Sequence, residues 1–586
     1  MAKTESRVDK ILATHKYMKN QKQPFLTLYQ AASEFVRARR QDFTFEMTPG
    51  QFLTGDIFDS TATHAAHTAK SAYVGHLWPH AAKSFRIDPP SNLSKSFSTK
   101  QVQDYFAEVT RRMQEALDNP QARLAVALDE YMLDQVVFGT SGIYVHDTNG
   151  EDEYSTPVCF KAVDAKNSYI AEGANGFVDT VYMEKCLTIR QTIQEYGYEN
   201  CSKETRKKFD EGQHDAKVKI LHAIEPRIER SPRNFGNKNM PVGSIHIEID
   251  EKHVLKESGF NEMPVFMSRF WKDQNEVYGR SPATEGLPEI ITLDGYSEIL
   301  TDAAEKLAGP PLAVWDDCVV GGVVNDSAHA INVIRHDGRL QTNPDIIKPL
   351  FTVGDVGPMR EEKAELKQHI YTMFSVDRLL DLNNETRMTL GEANIRNELR
   401  GQSLSNVYVR QITELFDPMV RRAFAIMMAK GLLGVVAESN EYFRLLDAGY
   451  LEDEILIIPN IIAQRIVKGL DVMRVTFISP AARILKQETM LGIERTLEYA
   501  IKVQPIAPEV MDIVNIDEVT REVQELTGAP ANLLRADDEV KKIRADRIAA
   551  QREAMRAEQD RMEAETLRAG GQAAQAAQKA GLSVVQ

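Results

Sequence analysis

Two long helical runs, separated by a hard stop and a strand-rich insert, constrain this chain more than any other feature. The first follows Ser281-Pro282, a favourable N-cap with proline at the first helical position, where its missing N–H is no loss. Leu287, Ile290, Ile291, Ile299, Leu300, Ala303, Ala304 and Leu307 then recur at helical spacing until Gly309-Pro310-Pro311 ends the run. The second run, Pro358 to Leu380, carries Leu366, Ile370, Met373, Phe374, Leu379 and Leu380 on its apolar side. At ~1.5 Å per residue each rod is about 35 to 40 Å long. Such a hairpin cannot bury its apolar faces alone, so sister copies arranged around an axis are expected to cover them.

Between the rods, residues 312 to 356 hold short apolar runs punctuated by Gly, Asn and Asp, and predict a small α/β tip. Upstream, residues 6 to 40 predict two helices broken at Pro24, and Ser60 to Leu77 a third. Ser98 with Gln101 opens another helix to about Leu117, broken at Asn119-Pro120 and followed by one more to Val137. From Ile143 to Phe270 the period turns to strands: Ile245, Ile247 and Ile249 alternate with polar residues, and residues 216 to 228 are positioned to pair with them. A short helix, Ile189 to Tyr196, interrupts them. After the hairpin, Thr389 and Glu392 open a long helix to about Lys430, with kinks expected at Gly401 and Pro418. Strand-like runs at 455–458 and 472–478 precede a helix from Pro480 to Val503.

The C-terminal part changes character. Residues 535 to 568 hold nine basic and nine acidic residues, interleaved, which predicts a solvated helix. The Gly570-Gly571 tail beyond it is low in complexity.

Composition excludes several functions. A formal net charge of −15 argues against tight wrapping of nucleic acid by the whole surface. Neither a phosphate-cradling loop nor a His-Glu-x-x-His motif occurs, and Gly139-Thr-Ser-Gly142 reads as a turn into a strand rather than a nucleophile elbow. His64, His67, His76 and His80 lack the accompanying carboxylates of a metal site and read as structural. Four scattered cysteines, Cys159, Cys186, Cys201 and Cys318, read as free thiols. The N-terminus lacks the apolar stretch of a signal peptide, and no apolar run is long enough to span a bilayer, so a soluble intracellular product is expected. No enzyme activity and no cofactor are expected.

Several stretches together resemble the head-to-tail connecting (portal) proteins of short-tailed bacteriophages. They are Ile57-Phe58-Asp59-Ser60-Thr61, Phe270-Trp271, Val277 to Pro282, Leu293-Asp294, Glu305-Lys306 with Gly309 to Leu312, Arg387-Met388-Thr389 leading to Glu392, and Ser479 to Arg483. The resemblance implies an α+β portal fold. Its parts would be N-terminal helices and wing over 1–268, a first stem helix over 269–309, a clip over 310–357 and a second stem helix over 358–380. A tunnel loop over 381–388, a kinked helix over 389–432, return strands and helix over 433–515, and a crown or barrel over 516–586 would complete it. It also implies a ring of twelve copies at one capsid vertex of the virion, made in the host bacterial cytoplasm. The implied partners are the major capsid protein, scaffold protein, large terminase, tail adaptor and double-stranded DNA passing without sequence preference. The alternative is another ring-forming phage protein of tail-adaptor or scaffold type. Lys363, Lys367 and Arg378 on the second rod, with Asn383, Asn384 and Arg387 on the loop after it, are the expected DNA-channel residues.

Overall fold

The computed structural model describes residues 2–38, 40, 42–45, 57–79, 83–90, 100–148, 156–228, 230, 236–310, 312–314, 347–349, 353–377, 404–437, 439–447, 455–505, 510–527 and 537–579. Helices and strands are mixed along it, an α+β chain. It divides into two compact units: Met1–Ser84 with Met113–Lys430 and Ile478–Glu488, and Phe85–Arg112 with Gly431–Phe477 and Thr489–Gln586. Residues 85–112 thus group apart from the rest of the first three hundred residues. Phe85–Asp88 pairs antiparallel with Arg474–Phe477, Phe85 opposite Phe477, and so groups with late parts of the chain.

The first unit is built on a five-stranded antiparallel sheet, with Ser168–Glu172, Val178–Thr188, Lys217–Pro226, Val242–Glu248 and His253–Phe260 in that order. The alternation read at Ile245 and Ile247 serves one face, where Val8, Ile11 and Met18 of the N-terminal helix pack on them. That helix is continuous over Ala2–Val36. The break expected at Pro24 does not form, because residues on both sides of it, Met18 and Tyr29 among them, are buried, which offsets the ~3 kcal/mol an internal proline costs. Between Met18 and Pro24, the fully buried Lys22 ammonium donates to the carbonyls of Ala165 (2.6 Å), Lys166 (3.0 Å) and Ser168. The Tyr169 and Tyr278 rings lie 4.9 and 5.5 Å from it.

A three-stranded sheet, Val158–Val163, Thr140–Asp147 and Val265–Arg269, follows the apolar helix Leu124–Phe138. Gly139 ends that helix in the left-handed conformation (φ 82°) and turns directly into the strand, burying Ser141 completely. The helix Ile189–Tyr196 forms where its Thr188–Gln191 capping box allows.

The segment 269–309 is not one helix. Arg269 closes a strand, Ser281 caps the single turn Pro282–Glu285, and the rod itself is Leu287–Ala308. The junction is Gly286, where a Cβ would stand 2.1 Å from the Met373 sulfur: the missing side chain admits the returning helix Gly357–Met373. Tyr296 lies beside Glu362 further along, so the two rods run antiparallel. At the far end Leu312–Val314 pairs antiparallel with Ile347–Pro349, closing the insert; most of the predicted tip lies outside the described residues. The kink expected at Pro418 takes the form of a five-residue π turn, Ile412–Phe416, directly before the helix Asp417–Ala429. Pro418 cannot donate to the ladder, and the turn ahead of it widens. Gly401, Thr389 and Glu392 lie outside the described residues.

In the second unit Val435–Val436 pairs in parallel with Ile457–Ile458, and the expected helix Pro480–Val503 is present. The C-terminal helix runs Asp537–Lys579, continuing through Gly570 and Gly571 into the low-complexity tail. Among the described residues no helix is long and apolar enough to cross a membrane, and Cys159, Cys186 and Cys201 are free.

Candidate functional site

Three of the distant stretches singled out in the sequence meet at one carboxylate. Asp294, on the first rod, accepts hydrogen bonds from the backbone N–H groups of Phe58 (2.8 Å) and Asp59 (2.9 Å). Held so, Asp59 accepts from the Thr61 backbone N–H (2.9 Å) and hydroxyl at the start of the helix Thr61–Leu77. Its other oxygen accepts from Ser297 Oγ (3.2 Å) and meets the ammonium groups of Lys363 (3.3 Å) and Lys367 (3.0 Å). Those lysines are four residues apart and share one face of the second rod. Only 6% of the Asp59 side chain is exposed. Burial pushes its carboxyl pKa up, but the Thr61 hydrogen bonds and the Lys367 ammonium outweigh burial and hold it at about 2. Asp59 therefore stays ionised and ties both rods to the helix that precedes them.

A second buried node sits where the strand Val265–Arg269 gives way to the rods. Arg269, 1% exposed, donates Nη2 (2.7 Å) and Nε (3.2 Å) to the Glu414 carboxylate and Nη1 to Glu172, which also pairs with Lys272. Glu414 belongs to the π turn, so the widened turn aims a carboxylate at the strand end. Beside it Tyr131, Gln135, Ser268 and Gln411 form a buried hydrogen-bonded cluster. The motif Val277 to Pro282 has a packing reason. Trp271 and Arg280 bridge as a short antiparallel pair, and Gly279 donates to Thr140 Oγ1 (2.7 Å). A Cβ on Gly279 would fall 2.4 Å from the Gly139 carbonyl oxygen. Ser281 Oγ accepts from the Thr284 N–H (3.1 Å) and donates to the Val137 carbonyl (2.7 Å).

Of the six residues expected at the channel, the structure brings Lys363 and Lys367 together on Asp59. Arg378, Asn383, Asn384 and Arg387 lie outside the described residues. The exposed side of the same helix carries Glu361, Glu362 and Glu365 beside Arg360. His76 bonds the Tyr408 hydroxyl (2.9 Å), a structural role, and among the described residues no His, Cys, Asp and Glu side chains cluster as a metal site would need. Glu414 was missed by sequence reasoning, since a carboxylate in mid-helix carries no local mark of its buried partner. Asp59 was noticed as part of a pattern, but its lysine partners are three hundred residues away.

Comparison with known proteins agrees with this geometry. A family model described as "Bacteriophage head to tail connecting protein" matches residues 8–440 and 454–534. The portal protein of Salmonella phage epsilon15 is 22% identical over 557 residues, covering 93% of this chain and 92% of that one. The probable portal protein of Bordetella phage BPP-1 is 23% identical over 553 residues, covering 92% and 91%. A chain from the virion of a native gene transfer agent particle aligns over 75% of this chain at 12% identity; its TM-score of 0.28 is too low to argue from. By a match that takes in the Asp59 node, the Arg269 node and both rods, this chain belongs to the family of bacteriophage head-to-tail connecting proteins, the portal proteins.

Proposed function

We infer that twelve copies of this chain close into a ring at one capsid vertex, around an axial channel through which double-stranded DNA is packaged and later ejected. The observation that carries the reading is the apolar surface left on the first rod. Ile291, Ile299 and Leu307 are 43%, 51% and 55% exposed although the second rod packs alongside, and a neighbouring copy would cover them. In this reading the wing seats against the major capsid protein and scaffold. The tip between the rods docks the large terminase, then the tail adaptor.

The channel reading assigns DNA contacts to Lys363, Lys367, Arg378, Asn383, Asn384 and Arg387. Asp59 offsets part of the charge of the two lysines, and Glu361, Glu362 and Glu365 add negative charge to the exposed side of the same helix. A wall of that kind repels phosphate and keeps contacts transient and salt-sensitive.

Electron microscopy of the purified chain tests the ring. Wild type is expected as annular particles with a central hole, and Ile299→Glu as folded but dispersed subunits; intact rings in Ile299→Glu would remove the stem-packing argument. Ile370 looked equally suitable from the sequence, yet it is fully buried within the chain, so a charge there tests folding instead. Deleting residues 381–387 is expected to leave rings intact and impair DNA packaging or retention. Loss of rings would assign that loop to the subunit interface.

A further inference from the structure

We propose that the cleft between the two sheets of the first unit binds a small oxyanion of the phosphate class, with Arg422 as its anchor. The cleft encloses about 1020 Å³. Across its floor His222 and His246 stand directly opposite one another on neighbouring strands, stacked at 3.9 Å, with Lys256 next in the same row. From the facing sheet come Tyr144 and, paired with it, Lys161. His222 bonds Ser244 Oγ and His246 the Tyr196 hydroxyl, both at 2.9 Å, so the imidazoles are met within the protein and it is the cations around them that an anion would answer.

Arg422 is the decisive residue. It is 5% exposed, and it spends donors on only two carbonyls, Val145 (3.3 Å) and Glu262 (3.2 Å). Among the described residues no ion pair joins it to a carboxylate within 4.0 Å; Tyr144, Glu262 and Asp147 act on its charge from further off, and the Phe260 ring lies at 5.3 Å. A guanidinium so enclosed has unused, planar donors suited to two oxygens of a phosphate. The acids lining the cleft do not supply the missing charge. Asp147 is held by Lys430 (2.7 Å), Asp164 by Arg40, and Glu184 by Lys19 (3.1 Å) and His15 (2.9 Å). Glu195 pairs with Lys185 at 3.9 Å and also meets Tyr196, and burial raises the Glu262 carboxyl above its ordinary range against the pull of Arg422 and Arg421. Lys161, Lys256 and Arg422 thus face, among the described residues, one cleft carboxylate held by no ion pair, Glu262. The same excess is felt by the histidines: burial first, then Lys185 and Lys256, drive His246 down to about 3.

Isothermal titration calorimetry of the full-length assembled protein with inorganic phosphate tests this. One saturable site per chain is expected, weakened about tenfold, equal to ~1.4 kcal/mol, by Lys185→Ala with Lys256→Ala, and unchanged by Lys207→Ala on the exposed helix Lys203–Asp210. Arg422→Gln should abolish binding; because that residue is buried, the lysine pair carries the test should the variant not fold. No saturable uptake, or equal weakening by Lys207→Ala, overturns the proposal. Binding of a short DNA duplex without binding of phosphate also overturns it and reassigns the cleft to nucleic acid.

Discussion

Replacing Asp59 by Asn keeps the shape of the node and removes its charge. A carboxyl held at about 2 instead of its ordinary 3.8 favours the ionised folded state by about 2.5 kcal/mol, at 1.36 kcal/mol per pKa unit. The side chains of Lys363 and Lys367 are 24% and 38% exposed and recover hydration once released, which reduces the expected loss to about 1–2 kcal/mol. The depressed value gives the sign. This stabilisation is complete above about pH 3.8 and is lost as pH falls through about 2. At neutral pH the variant lacks it throughout. Hydrogen exchange is the suitable assay, since a two-unit chain need not unfold in one step. Amides of Gly357–Met373 and of the first turn of Thr61–Leu77 are expected to exchange about 5- to 30-fold faster in Asp59→Asn, while the five-stranded sheet is unaffected. Equal protection of those amides in both proteins refutes the claim that this carboxylate joins the rods to the helix Thr61–Leu77.

Two further perturbations probe the neighbouring joint. Arg269→Met and Glu414→Gln should each cost about 3–5 kcal/mol, because each strands a buried partner, and the double variant less than their sum; strict additivity in thermal melts would show that the pair is not coupled. Gly279→Ala drives a Cβ to 2.4 Å from one backbone oxygen and 2.8 Å from another, that of Trp271. Backbone cannot yield as a side-chain tip does, so a loss of more than about 3 kcal/mol is expected, and a melting temperature within about 2 °C of wild type contradicts it.

Much of this fold was legible because its signals are local. Ser281-Pro282, the short helix Ile189 to Tyr196, Asn119-Pro120 and the alternation at Ile245 and Ile247 act within a turn or two, and each appears where the pattern put it. The misreadings are tertiary. Pro24 should break a helix, but packing on the sheet holds it together. Gly286 divides a rod whose apolar spacing looks continuous, for the sake of Met373. The partner of Lys363 and Lys367 has no local mark either, because the carboxylate that receives them lies far back in the chain. Arg422 gives no sign in the sequence that it will be enclosed without a carboxylate.

The Lys22 ammonium, set among three carbonyl oxygens and two rings, has a consequence for the whole N-terminal helix. Val8, Ile11 and Met18 supply its apolar contact with the sheet. Sliding by one turn displaces the ammonium by about 5.4 Å, out of reach of all three oxygens and stranded in a dry interior. Together with Arg7 on Glu257 and His15 and Lys19 on Glu184, it acts as a bolt that holds a 35-residue rod at one axial station.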